Sequence, residues 1–398
     1  MMDLQIVPGV YWVGAKDPDL RIFDIVMETK YGTTYNAYLV QGREKTALIE
    51  TVKSRCYEEL KQRIEQIVPI SEIDYVVINH TEPDHTGSLG RLLLEMPKAT
   101  VVASKVALRF LGQQINREFT QQVAVDGDKL DLGGKTLQFI NAPFLHWPDS
   151  MFTYLPEDKI LFSCDAFGCH YCGESVFNDE VGDISDAYKY YFDVIVKPFR
   201  RYVLEAAEKI KDLDIKIIAP SHGPILRKDP WSYVQLYAKW SQQSKDPNAA
   251  KKVPVLYTSA YGYTTQLAEA IGKGLADAGI QTEVLDFTQY PLTEIIEKIE
   301  NADGFLLGSP TINRDAVPPV WQLLSGVSAI INNGKPAGAF GSYGWSGEAV
   351  KFIERRFQDL QLKVPVPGIR VNFAPTEADL QLAREFGSSF GEAVKGIS

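Results

Sequence analysis

Apolar residues in this chain fall into short blocks with two kinds of spacing. Tyr75–Ile78, Thr100–Ala103, Thr136–Ile140, Met151–Leu155, Ile160–Ser163 and Ile215–Ala219 are brief apolar runs rich in β-branched and aromatic residues, which predicts buried strands. Tyr35–Val40 and Thr46–Glu50 read the same way, and Pro156-Glu-Asp-Lys159 predicts the turn of a hairpin. Glu58–Ile67 instead places Leu60, Ile64 and Ile67 on one helical face, and Asp186–Lys211 is expected to be largely helical. Beyond residue 252 the texture changes to regular strand–helix alternation with Gly-rich turns. The polar stretch 241–252 has no core periodicity and is expected to be a linker. The pattern predicts two α/β domains, 1–248 and 253–398.

The candidate chemistry sits where strands end. His80-Thr-Glu-Pro-Asp-His85 follows the Tyr75–Ile78 run by one residue and packs His80, Glu82, Asp84 and His85 into six positions. Imidazoles and carboxylates this close are costly unless a cation binds them, which points to one or two metal ions. His146, Asp165 and His222 each follow a different predicted strand, and strand ends that converge can assemble a single metal centre. Cys169-His-Tyr-Cys172 is one C-x-x-C; a rubredoxin-type iron site needs two, and Gly173 stands where haem attachment needs His. A small buried hydrophobic role is expected for these cysteines.

In the second domain, Val253–Thr258 reads as a strand running through Ser259-Ala-Tyr-Gly-Tyr-Thr-Thr265 into a helix with Leu267, Ala270, Ile271, Gly274 and Leu275 inward. A strand, a Ser/Thr/Gly turn and a helix N-terminus form a phosphate cradle. The motifs of NTPase loops and dinucleotide folds are absent. Two more small-residue loops, around Pro310-Thr-Ile-Asn313 and Ser342-Tyr-Gly-Trp-Ser-Gly347, follow buried runs and would flank the same crevice in a doubly wound sheet.

Composition narrows the partners. A net charge of −10 with no Lys/Arg block argues against nucleic acid, and no apolar stretch is long enough to span a bilayer. Residues 1–14 show no secretory leader, and four cysteines in 398 residues favour a reducing, cytoplasmic setting.

The order His80-x-Glu82-x-Asp84-His85, His146, Asp165, His222 resembles the ligand order of the metallo-β-lactamase superfamily. The hydrolases of that superfamily have His where Glu82 stands; a carboxylate there makes the site harder and shifts preference from zinc toward iron. With that change the chain resembles the flavodiiron proteins. Gly32-Thr-Thr-Tyr-Asn-Ala-Tyr38, Leu145-His-Trp-Pro-Asp-Ser-Met151, Asp165-Ala-Phe-Gly168 and Pro220-Ser-His-Gly223 carry the same likeness, and the second domain resembles flavodoxin. The resemblance implies an αββα metallo-β-lactamase-like sandwich followed by a flavodoxin-like parallel sheet of order 2-1-3-4-5. It implies His80, Glu82 and His146 on one iron, Asp84, His85 and His222 on the other, and Asp165 bridging, although members differ in whether the residue matching His85 binds directly. His170 and either Tyr190 or Tyr191 would lie near the open face as hydrogen-bond or proton donors. Ser259, Ala260, Tyr261, Gly262, Tyr263 and Thr264 would hold the FMN phosphate. Pro310, Thr311, Ile312, Asn313, Ser342, Tyr343, Gly344, Trp345 and Gly347 would surround the ring. The implied activity is electron transfer from a separate donor such as rubredoxin, through FMN, to two irons that reduce O2 to water or NO to N2O. The implied assembly is a head-to-tail homodimer, or a tetramer built from it. The competing readings are a dinuclear zinc hydrolase with a flavodoxin-like appendage, and an electron carrier with a regulatory metal module.

Overall fold

The apolar runs of the first half pair into two sheets in the computed structural model, which describes residues 5–242 and 250–396. The backbone divides into two units, Met1–Gln243 and Ser244–Ser398. Most of the stretch 241–252, expected to be a linker, lies outside the described residues.

In the first unit, strands β1 (Gln5–Val7), β2 (Val10–Trp12), β3 (Tyr38–Gln41), β4 (Thr46–Ile49), β5 (Tyr75–Ile78), β6 (Thr100–Ala103) and β7 (Gln121–Val123) pair in chain order. The pairing is antiparallel through β4 and parallel beyond it. A second sheet holds β8 (Lys129–Asp131), β9 (Thr136–Asn141), β10 (Met151–Leu155), β11 (Ile160–Cys164) and β12 (Ile217–Pro220), also in order. The central strands of both sheets are buried on both faces, which explains their continuous apolar runs. Along β5, Val76 and Ile78 join the outer core while Val77 joins the layer between the sheets, as the two-residue strand period requires. In that middle layer Ile49, Val77 and Val102 meet Phe139, Met151 and Phe162. Helices α1 (Tyr57–Glu65), α2 (Leu89–Glu95) and α3 (Lys105–Ile115) cover the first sheet. Helices α4 (Ser185–Tyr191), α5 (Arg200–Ile210) and α6 (Pro230–Ser241) cover the second, completing the αββα sandwich.

Two sequence expectations change. The run Tyr35–Val40 is not one strand: Thr33–Tyr35 pairs with Ala15–Asp17 in a separate ribbon, and β3 begins at Tyr38. The break falls where Asn36 turns its amide to the carbonyls of Pro220 and Gly223, at 2.8 and 2.9 Å. The helix expected over 186–211 loosens into a π turn at Phe192–Val196 and a 3-10 turn at Lys197–Phe199. Pro198, with no N–H to give, accounts for the break before α5.

The second unit is a parallel sheet of β13 (Val255–Tyr257), β14 (Val284–Asp286), β15 (Phe305–Gly308), β16 (Ala337–Tyr343) and β17 (Ile369–Asn372). Its order is β14-β13-β15-β16-β17, the 2-1-3-4-5 winding. Helices α7 (Tyr263–Asp277) and α11 (Glu377–Gly396) pack on one face; α8 (Leu292–Asn301), α9 (Pro318–Gly326) and α10 (Ala349–Asp359) pack on the other. The α7–α11 contact depends on missing side chains. A Cβ on Gly274 would fall on the carbonyl oxygen of Arg384, and one on Gly387 on that of Ile271.

Candidate metal centre and flavin site

All seven metal-ligand candidates come together at one end of the two sheets. His80 follows β5, and the helical turn Pro83–Thr86 carries Asp84 and His85. His146 lies in the β9–β10 loop, Asp165 directly after β11, and His222 just past β12. Their donor atoms form two sets. In one, His80 Nε2 lies 3.3 Å from Glu82 Oε2 and 3.6 Å from Asp165 Oδ2, while His146 Nε2 lies 3.1 and 3.4 Å from the same two oxygens. In the other, His85 Nε2 is 3.4 Å from Asp84 Oδ1 and 3.1 Å from Asp165 Oδ1. His222 Nε2 completes that set, 3.0 Å from Asp84 Oδ2 and 3.4 Å from Asp165 Oδ1. Asp165 thus turns one oxygen to each set. Donors bound at ~2.1 Å to one ion in tetrahedral or octahedral geometry stand roughly 3.0–3.4 Å apart. The two sets are therefore the size of two metal sites sharing one carboxylate.

The hydrogen bonds say why protein atoms alone do not satisfy this cluster. His80 Nδ1 faces Asp149 Oδ2 at 3.2 Å, and His222 Nδ1 faces the Thr34 carbonyl at 2.7 Å. Both oxygens only accept, so each Nδ1 donates and each ring turns its Nε2 toward a carboxylate. A cation held between each Nε2 and the carboxylate it faces is attracted by both. Both oxygens of Asp84 and of Asp165, and Nε2 of His85, are buried without a hydrogen bond among the described residues. Charge tells the same story. Burial disfavours protonated His80, His85 and His146, yet the facing carboxylates outweigh it and push each pKa up to about 10. Burial likewise opposes ionised Glu82, Asp84 and Asp165, but the imidazoles hold all three below the usual range. The cluster draws in positive charge, and three carboxylates with four imidazoles fit two hard divalent cations.

The supporting residues include several that the sequence did not single out. Asp149 Oδ2 also accepts from the Thr81 N–H and hydroxyl, both at 2.8 Å, and so fixes the His80 tautomer. Asp149 lies three residues after His146, inside a motif already conspicuous. The Thr34 carbonyl carries no signal in sequence. Glu50 is buried beside His85, accepting from the Asn79 N–H at 2.7 Å, and burial raises its pKa to about 7. Asp24, on the Ile22–Glu28 hairpin, faces Glu82, and burial followed by that contact raises its pKa to about 6.

His170 packs 5.1 Å from His222 and 4.9 Å from Tyr191, ring centre to ring centre. Thr33 Oγ1 meets its Nδ1 at 2.9 Å, and burial, then the charge of His222, pushes its pKa down to about 3. Tyr191 is buried against this pair, while Tyr190 is half exposed and lines a separate cavity of about 240 Å³ with His170. All four cysteines are free thiols; Cys169 is buried, which pushes it up to about 12.

In the second unit, a cavity of about 270 Å³ opens at the C-terminal ends of β13, β15 and β16. Of the expected flavin residues, Ala260, Tyr261, Tyr263, Pro310, Thr311, Ile312, Asn313, Ser342, Tyr343, Gly344 and Trp345 line it. Phe373, which the sequence did not single out, also lines it. Ser259, Gly262, Thr264 and Gly347 are not among its lining residues. Ser259 Oγ accepts from Gly262 N–H at 3.0 Å, the Thr264 and Ser342 hydroxyls meet at 2.8 Å, and the Gly347 carbonyl takes Arg370 at 3.1 Å. Gly262 caps α7 at a φ of 83° with no side-chain cap, so the helix N-terminus keeps N–H groups for a phosphate. Tyr261 and Trp345 are 84% and 80% exposed, an uncovered aromatic rim suited to a flat ring. A larger groove of about 360 Å³ lies at the opposite end, along Val253–Pro254 and Glu297–Lys298, away from the strand ends where such sheets bind ligands.

The ODP family beta-lactamase model matches residues 33–223, and the flavodoxin model matches 255–387. A flavo-diiron protein of Clostridium acetobutylicum is 43% identical over 403 residues, covering 99% of this chain and 100% of the relative. A nitric oxide reductase of Moorella thermoacetica is 37% identical over 392 residues, covering 96% and 97%. The structure of rubredoxin oxygen:oxidoreductase from Desulfovibrio gigas superposes with a TM-score of 0.71 at 30% identity, covering 98% of each chain.

Proposed function

This chain belongs to the flavodiiron family of oxidoreductases, with FMN and two irons as cofactors, and we propose that it takes electrons from a rubredoxin-like donor and reduces O2 to water, NO to N2O, or both. FMN and the iron pair supply the redox chemistry, because flavin accepts electrons singly or in pairs while each iron changes by one. The observation that carries the reading is Asp165, whose two oxygens face separate donor sets.

In this reading His80, Glu82 and His146 hold one iron, Asp84, His85 and His222 the other, and Asp165 bridges them. Asp149 and the Thr34 carbonyl keep the His80 and His222 Nε2 atoms free for metal. Neutral His170 and buried Tyr191 keep water from the His222 side and offer hydrogen-bonding groups there. The exposed aromatic rim on the second unit would be covered in a head-to-tail homodimer, where the flavin of one chain meets the irons of its partner. Free thiols suit a cytoplasmic setting.

The donor is tested by anaerobic stopped-flow. Reduced rubredoxin should bleach the FMN absorbance in wild type and in His80→Ala alike. Failure to reduce FMN in either protein would remove rubredoxin as the donor.

A further inference from the structure

The strand Thr33–Tyr35 and Asn36 form the back wall of the metal cluster, and all but one of their polar side chains are engaged. Thr33 meets His170 Nδ1 at 2.9 Å, Thr34 Oγ1 accepts from Gly223 N–H at 2.8 Å, and Asn36 holds the carbonyls of Pro220 and Gly223. Tyr35 is the exception. Only 1% of it is exposed, yet its hydroxyl meets no partner among the described residues.

The strand period puts Tyr35 on the face of Thr33, toward the histidines. Its ring stands edge-on to His222 with centres 5.9 Å apart, and Phe23 lies 6.5 Å away. A buried hydroxyl with no partner costs about 1–3 kcal/mol. Phenylalanine would fill the same space without that cost. A phenol keeps its proton at neutral pH, so the group is an O–H donor there. Asp84, whose own two oxygens lack hydrogen bonds, belongs to the donor set of His85 and His222.

Resting on the reading above, we propose that the Tyr35 hydroxyl donates a hydrogen bond to the small exogenous ligand held by the metal of Asp84, His85 and His222. Tyr35 is then a catalytic residue, and its unpartnered O–H is the group that the bound ligand satisfies.

Azide is the probe, because it is a small anion with acceptor nitrogen ends. It is titrated optically into the oxidised, iron- and FMN-loaded enzyme. Tyr35→Phe should keep two irons per chain and melt no lower than wild type, but bind azide about fivefold more weakly, the worth of one neutral hydrogen bond. 3-Fluorotyrosine at position 35, a stronger donor of the same shape, should tighten it. Tyr38→Phe is the structural control: its hydroxyl bonds the Pro220 carbonyl at 2.6 Å, so it should melt lower and bind azide as wild type does. Azide affinity within twofold of wild type in both position-35 proteins would overturn the proposal. So would loss of iron from Tyr35→Phe, which would make the residue part of the scaffold. A wild-type enzyme that binds no azide would instead break the di-iron reading beneath it.

Discussion

Replacing Asp149 with asparagine should weaken iron binding about tenfold while leaving FMN in place. The magnitude follows from how one oxygen is used. Asp149 Oδ2 accepts three hydrogen bonds, from His80 Nδ1 at 3.2 Å and from the Thr81 N–H and hydroxyl at 2.8 Å each. An asparagine oxygen in the same place keeps all three contacts but loses the charge. Charge-assisted bonds are roughly twice as strong as neutral ones, so the His80 bond alone gives up about 1 kcal/mol. The imidazole also becomes a poorer donor to metal, and partners of this kind typically cost ~10–100-fold in affinity. Asp149→Ala should do worse, leaving three buried donors unpaired and lowering stability by about 3 kcal/mol or more. Anaerobic competition with a colorimetric iron chelator reads the affinity, and thermal melting reads the fold. Asp149→Asn with iron affinity within twofold of wild type would refute the role assigned to Asp149.

Trp345→Leu should weaken FMN about fivefold by removing one stacking face, read from flavin fluorescence during titration of the apoprotein; an unchanged Kd would place the ring elsewhere. Glu82→His replaces an oxygen donor with nitrogen, so the purified variant should carry more zinc and less iron than wild type by elemental analysis. Unchanged metal content would mean that Glu82 does not set the metal preference. Gly274→Ala should cost about 1–3 kcal/mol in urea unfolding, because the new methyl meets the Arg384 carbonyl across the α7–α11 contact. A midpoint equal to wild type would show that the two helices move apart freely.

Much of the candidate metal centre was legible because its candidate ligands sit at the ends of apolar runs, and the run at 75–78 appears in the structure as the strand that delivers His80. The seven candidates converge because parallel and antiparallel pairing brings the ends of β5, β9, β11 and β12 to one side. What was not legible depends on backbone and on distant partners. The carbonyl of Thr34 has no side-chain signature. Asp24 reaches Glu82 only because a hairpin folds over the cluster, and the break at Asn36 comes from contacts to residues almost two hundred positions away. In the second unit the three loops around the cavity were visible from small residues after buried runs. Phe373, at a φ of 54° beyond β17, follows a strand whose half-exposed pattern gives no such cue.

The central claim is that gas reduction takes place at the paired donor sets. Purified protein reduced through rubredoxin is given O2 and NO separately at an electrode, beside a His80→Ala variant that retains FMN. The account predicts consumption of at least one gas by wild type and only the slow background of free flavin oxidation in the variant. Equal consumption by the two proteins, or none by an iron- and FMN-loaded wild type, would contradict it.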